Sequence, residues 1–235
     1  MRASADQISL MLAFAASAGT AEACGLVLDT GRVYPCRNLA ADPLTQFRID
    51  PVDYAAAERL GGVVGVWHSH PDATADPSLV DLAMCERTAL PWHIVSHPGG
   101  DYRYVEPSGW RAPYLARPYC YGVFDCWELV RDWYAAERGQ ALGRSPAAAL
   151  DGWWERGENV LERDAARFGF ARVSGPPQRG DIIMMQIRAS VANHVALWLG
   201  DGAILHHLRD RQSETHLFGG YWERCAVGVW RHGHE

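Results

Sequence analysis

Gly65-Val66-Trp67-His68-Ser69-His70-Pro71, followed after six residues by Ser78-Leu79-Val80-Asp81, is the most informative stretch of this chain. The apolar run Val63 to Trp67 predicts a buried strand. In extended backbone the two histidines, at i and i+2, face the same side and reach a common point. Pro77 opens a predicted helix through Arg87. Ser78 and Asp81 lie one helical turn apart there and face a common direction. Two imidazoles and one carboxylate form a three-ligand set. Such a set leaves a zinc ion a fourth position for water, the arrangement of catalytic rather than structural zinc. Zinc lowers the pKa of that water, and a carboxylate completes the proton transfer. Glu22, just before a predicted strand, is the candidate base.

The flanking sequence supplies a scaffold. Residues 4–17 predict an amphipathic helix, with Ile8, Met11, Leu12 and Ala15 on one stripe. This stripe outweighs the resemblance of the same residues to a signal peptide. Cys24 to Leu28 and Arg32 to Cys36 predict two strands around the turn Asp29-Thr30-Gly31. Asp50 to Leu60 predicts a second helix, stopped by Gly61-Gly62. Trp92 to Ser96 and Tyr102 to Val105 predict closing strands. From Glu106 to Pro118 the periodicity is lost among prolines, which places a domain boundary there. The expected division is residues 1–108 and 109–235.

The second half has its own chemistry. Phe124-Asp125-Cys126-Trp127 precedes a helix predicted from Cys126 to Glu137, with Asp125 as N-cap. A thiol in the first helical turn is expected to be shifted toward thiolate by the helix dipole. A polar helix with a Trp pair is expected over 153–168. Asp181 to Gln186, Val195 to Leu199 and Ala203 to Leu205 predict strands, the last two joined by Asp201-Gly202. A nucleophilic cysteine needs a base, and the base needs an orienting partner. His194 opens one arm of the hairpin and His206 closes the other, so the hairpin sets them side by side. The expected triad is Cys126, His194 and His206. Alternation lets only one of His206 and His207 face inward, and the spacing favours His206.

Composition narrows the function classes. The chain has 235 residues, 48% hydrophobic and 21% charged, which suits a folded core and excludes a disordered tail, a collagen-like chain or a simple coiled coil. The formal net charge is −6, so there is no basic footprint for nucleic acid. No apolar run reaches the ~18 residues of a membrane span. Six cysteines at irregular spacing, in a chain this long, read as free thiols rather than a disulfide framework. Early helical content followed by strands in each half predicts two α+β domains.

Glu22, His68-Ser69-His70-Pro71 and Ser78-Leu79-Val80-Asp81 resemble the JAMM/MPN+ metalloprotease pattern at every position. The resemblance implies an MPN α/β-sheet domain with His68, His70 and Asp81 on zinc. It further implies Glu22 as general base, Ser78 as oxyanion stabiliser, and amide or isopeptide hydrolysis. Asp125-Cys126, Gly180-Asp181, His194-Val195 and His206 resemble the NlpC/P60 cysteine peptidases, and Tyr119 resembles a family tyrosine near the oxyanion region. That implies a papain-like domain cleaving peptidoglycan stem peptides, typically between D-γ-glutamyl and diaminopimelate. Here Trp127-Glu128 replaces the usual Ser-Gly after the cysteine, which would reshape the groove. The fusion resembles a family of tail tip proteins of lambda-like tailed phages. This implies other tail tip proteins as partners, and a place at the virion tail tip or in the host cytoplasm during assembly. The competing expectation is an assembly protein that keeps both folds for docking without catalysis.

Other residues fit structural roles. His93 and His97 lie on or beside a closing strand, Cys24 and Cys85 suit the core, and His232 and His234 sit at the chain end. Asp76 is either a solvated loop acid or a support for a ligand.

Overall fold

A computed structural model of the protein describes residues 1–144 and 152–233. The chain divides into two compact units, Met1–Arg111 and Ala112–Glu235. Each is α+β. Among the described residues no helix is long and apolar enough to cross a membrane. All six cysteines are free.

The first unit holds α1 (Ala5–Ala18), β1 (Cys24–Leu28), β2 (Val33–Cys36), α2 (Pro51–Glu58), β3 (Val63–Pro71), α3 (Leu79–Thr88), β4 (Trp92–His97) and β5 (Tyr102–Val105). Its sheet order is β2-β1-β3-β4-β5. Ser4 caps α1 reciprocally with Gln7, which fixes the helix start. Met11 and Ala15 of α1 pack on one sheet face with Val27, Trp67 and Val95. Leu26, Leu28, Val66 and Trp92 pack on the other with Ala57 of α2 and Cys85 of α3. Alternate residues of β1 thus enter different clusters, and the whole strand is buried. β3 and β4 are parallel, with α3 as their crossover. At Gly25 a Cβ would collide with the carbonyl of Tyr34 and the indole of Trp67, whose Nε1 donates to that carbonyl at 3.3 Å.

Two boundaries differ from expectation. β3 runs on to Pro71, so His68 and His70 lie inside the strand, His68 paired with both β1 and β4 and His70 with β4. The next helix begins at Leu79, not Pro77, because the Ser78 hydroxyl accepts from the backbone of Asp81 and caps it.

The second unit holds α4 (Cys126–Glu137), α5 (Val160–Arg167), β6 (Phe170–Val173), β7 (Ile182–Met185), β8 (His194–Gly200), β9 (Ala203–His206), β10 (Glu214–Leu217), α6 (Tyr221–Cys225) and β11 (Ala226–His232). Its sheet order is β10-β9-β8-β7-β11-β6. Leu129, Val130 and Trp133 of α4 enter the core with Ile182, Met184, Val195 and Leu197. β11 sits between β7 and β6, antiparallel to both. Arg231 on β11 donates to both oxygens of fully buried Asp181 at 2.8 and 2.7 Å. The helix expected over 153–168 is confined to Val160–Arg167. Gly157 adopts φ +73°, a left-handed conformation that no helix accommodates, and the Trp pair lies in turns before it.

Candidate functional site

In the first unit, the antiparallel register sets Cys24 opposite His68. Backbone Ser69 N–H to Ala23 O (2.9 Å) and Ala23 N–H to Ser69 Oγ (2.9 Å) extend the pairing, which carries Glu22 to the level of His70. From α3, Asp81 reaches the same point. The Nε2 atoms of His68 and His70 are 3.0 Å apart. Asp81 Oδ1 is 3.2 Å from His68 Nε2, and Asp81 Oδ2 is 3.3 Å from His70 Nε2. The three side chains could hold a metal ion. The donor chemistry fits one. His70 Nδ1 lies 2.8 Å from the carbonyl of Thr74, which only accepts, so neutral His70 carries its proton there and turns a lone pair inward. Asp76 accepts from the Thr74 hydroxyl at 3.1 Å, a partner of the ligand loop. His68 is oriented differently. Its Nδ1 is buried without a hydrogen-bond partner, and its ring stacks on Phe47 at 4.7 Å with Trp92 edge-on at 5.4 Å.

Electrostatics sharpen the roles. Burial pushes the Glu22 carboxyl up to about 7, Asp81 and Asp42 add to this, and His70 opposes it. Burial works against the Asp81 carboxylate too, but the His68 and His70 rings beside it and Ser78, whose backbone N–H donates to Oδ2 at 2.8 Å, outweigh it and hold it well below the usual range. Burial lowers the pKa of His68. Ser78 accepts from Asp81 N–H at 3.1 Å, which leaves its own proton available to donate. His93 is away from this cluster, with Nδ1 2.9 Å from the Tyr102 hydroxyl, and burial takes its pKa down to about 4.

In the second unit, Asp125 caps α4 by accepting from Trp127 and Glu128 N–H, both at 2.9 Å, and also accepts from Gly122 N–H at 2.8 Å. These bonds fix Cys126 in the first turn. Cys126 and His194 line one cavity of about 190 Å³ with Tyr119, Trp127 and His207. His194 Nε2 meets His206 Nδ1 at 3.1 Å. The two are not directly opposed: His206 pairs with Ala196, two residues along the face from His194. Side chains two apart on a strand share a face, so the diagonal pair still meets. The expected thiolate is not favoured in this setting. Burial pushes the Cys126 thiol up to about 12 and takes His194 down to about 3, the direction opposite to the one the helix dipole favours.

His207 was expected to face away from the site. β9 ends at His206, alternation lapses, and His207 turns to the cavity with its Nε2 on Arg211 O at 3.0 Å and its ring edge-on to Tyr119. Trp127 lines the cavity as its bulk implies, but Glu128 is buried against Arg131 and Arg144. His232 packs on Phe170 and faces Phe168 O at 3.0 Å, so it serves the core, and His234 lies outside the described residues. Two participants were missed by sequence reasoning: Thr74 and His216, whose Nδ1 is 2.9 Å from His206 Nε2. His216 alternates with Glu214 on β10, a strand too short and polar to register as a period.

Comparison with known proteins places these halves in two classes. A model described as prokaryotic homologs of the JAB domain matches residues 4–111, and one of the NlpC/P60 family matches residues 116–231. The chain is 41% identical to the tail tip assembly protein K of Escherichia phage N15 over 96% of its own length and 93% of that protein's. It is 30% identical to the protein of the same name from Escherichia phage lambda, over 78% and 89%. A crystal structure of a Staphylococcus aureus NLP/P60 family protein is 22% identical with a TM-score of 0.37, covering 52% of this chain and 38% of that one. The chain belongs to the tail tip assembly protein K family.

Proposed function

We propose that this protein acts at the phage tail tip, in assembly, in local opening of the cell wall, or both, with a cysteine peptidase in the second unit and a zinc-dependent amidase or isopeptidase-like site in the first. The observation that carries the peptidase reading is the line from the cavity wall inward: Cys126 and His194 on one cavity, and His206 at 3.1 Å behind His194.

His194 spends Nε2 on His206, which leaves Nδ1 as its nitrogen for the thiol. As substrate enters and excludes water, Nδ1 takes the thiol proton and the sulfur attacks the amide carbonyl. The imidazolium then returns the proton to the leaving amine. Water, deprotonated by the same nitrogen, releases the acyl group. The substrate class is a peptidoglycan stem peptide of the D-γ-glutamyl-diaminopimelate type.

In the first unit His68, His70 and Asp81 would hold zinc. When bound, the ion would supply a Lewis acid and a more acidic water. Glu22, with a carboxyl near neutral, is suited to take a proton and give it to a leaving amine. Ser78 has a hydroxyl proton to offer a developing oxyanion. The partners that family membership supports are other tail tip proteins, with the virion tail tip or the host cytoplasm during assembly as location.

The test is a mass-spectrometric digest of diaminopimelate-type peptidoglycan with the intact chain, Cys126→Ala and Glu22→Ala. New stem-peptide fragments that vanish only with Cys126→Ala are the expected result. No fragments from any of the three would favour an assembly role without wall cleavage.

A further inference from the structure

The candidate triad does not end at its third member. His194 Nε2 meets His206 Nδ1 at 3.1 Å, and His206 Nε2 meets His216 Nδ1 at 2.9 Å. Beyond it, His216 Nε2 lies 3.9 Å from the Glu214 carboxylate. Three imidazoles therefore stand in series, each using one nitrogen toward the neighbour before it and the other toward the neighbour after it. His194 and His206 are buried and His216 is partly exposed. Trp222 covers the outer part of the row, with its ring 4.4 Å from that of His206 and 5.2 Å from that of His216.

A row of neutral imidazoles can be polarised in two directions. In one, every ring carries its proton on Nε2, and His194 turns a bare Nδ1 to Cys126. In the other, every ring carries its proton on Nδ1, and His194 cannot take the thiol proton. Only the first is competent as a base. What stands at the far end of the row biases the choice between the two. A carboxylate only accepts, so Glu214 favours a proton on the facing Nε2 of His216. That choice leaves His216 Nδ1 to accept from His206 Nε2–H, and His206 Nδ1 to accept from His194 Nε2–H. We propose that His216 and Glu214 are positioning residues of the thiol site, and that they set the tautomer of His194 through His206. This rests on the peptidase reading of Cys126 and His194.

His206, Glu214 and His216 also form a group that could hold a metal ion. The ring geometry favours the proton row. A metal takes one nitrogen from each imidazole, whereas His216 presents Nδ1 to His206 and Nε2 to Glu214, at different positions on its ring. His206 Nε2 would also have to be a lone pair for a metal and a donor for the row, and it cannot be both.

The experiment uses the full chain labelled with ¹⁵N-histidine. Ring nitrogen and proton shifts report the tautomer of each histidine, and the iodoacetamide alkylation rate of Cys126 is read on its own peptide by mass spectrometry. Neither measurement needs a substrate, so failure to cleave peptidoglycan would sink the proposed wall activity and leave this inference standing or falling separately. The expected result is Nε2–H at His194, His206 and His216. His216→Leu should mix the tautomers of His206 and His194. A wrong tautomer costs a catalytic triad up to ~10⁴-fold, and loss of this outer bias should slow Cys126 alkylation about tenfold. His216→Asn, whose side-chain oxygen can accept in place of Nδ1, should restore both readouts. Glu214→Gln, on the exposed side of the row, should give a smaller shift in the same direction, and it covers the case in which His216→Leu fails to fold. Unchanged tautomers and alkylation in His216→Leu, or in Glu214→Gln where His216→Leu does not fold, would overturn the proposal. So would stoichiometric metal on the full chain that is lost with Glu214→Gln.

Discussion

Glu22 stands across the antiparallel ladder from His70, at the end of a register that opposes Cys24 to His68. The sheet thus delivers a carboxyl with a raised pKa to the side of the histidine pair. It does so from a residue 46 positions before His68, through backbone pairing fixed by the buried strand β1.

Metal content tests the first unit. The purified chain is expected to bind one zinc ion, and His68→Ala with His70→Ala should abolish binding, measured by elemental analysis after dialysis. Because His68 has stacking in place of a partner at Nδ1, Phe47→Ala should also weaken zinc binding, by about tenfold, the lower end of what loss of a supporting contact costs a metal site. Unaltered zinc content in the double variant would refute the ligand assignment.

Thiol reactivity tests the second. With its pKa pushed up to about 12 by burial, Cys126 holds little thiolate at neutral pH. Its alkylation at pH 7.5 should be at least ~10-fold slower than that of a free cysteine with pKa near 8.5, and the rate should keep rising above pH 9. A plateau near pH 6 would mean a preformed thiolate–imidazolium pair instead.

His93 makes a prediction about stability and pH. Its folded pKa, about 4, lies below the ordinary value of 6.5 because it is buried. Between those values the unfolded chain binds more protons, so stability rises with pH across the window and is lost as pH falls from 6.5 toward 4. His93→Gln should shrink the drop in melting temperature between pH 7 and pH 4.5. An identical drop in the variant would count against this origin.

Arg231 tests the inserted strand. Replacing it with Leu leaves buried Asp181 without its guanidinium, with Gln178 N–H still donating to it at 2.8 Å. Breaking a buried pair from one side costs about 3–5 kcal/mol, and urea unfolding of the full chain should register it. Asp181→Asn with Arg231→Leu should recover much of the loss.

Motifs that depend on short-range spacing were legible in the sequence. His68 and His70 alternate on a strand, Ser78 and Asp81 are one turn apart, and Asp125 caps the helix that carries Cys126. Such relations need only the local period of the backbone. What escaped depends on partners distant in the chain. The thiol's protonation follows from how deeply the assembled core buries it, which no local dipole reveals. His216 meets His206 only because β10 pairs with β9, and a four-residue polar strand carries too little pattern to announce that. With the turn at Asp201-Gly202, an uninterrupted hairpin would set His206 opposite Leu197; the irregularity between Trp198 and Gly200 moves it one residue to Ala196, onto the face that His194 shares.

The place of β11 in its sheet also governs when each half can form during synthesis. Every strand of the first sheet lies before residue 106, so that unit can fold while the rest of the chain is still being made. The second sheet is different: its neighbours β7 and β6 are joined only through the last strand to be translated. Until those residues emerge, the sheet is open in its interior and Asp181 has no Arg231. The nascent polypeptide therefore passes through a stage in which the half carrying His68, His70 and Asp81 is finished and the half carrying Cys126 is not, a built-in delay before the second cavity can form.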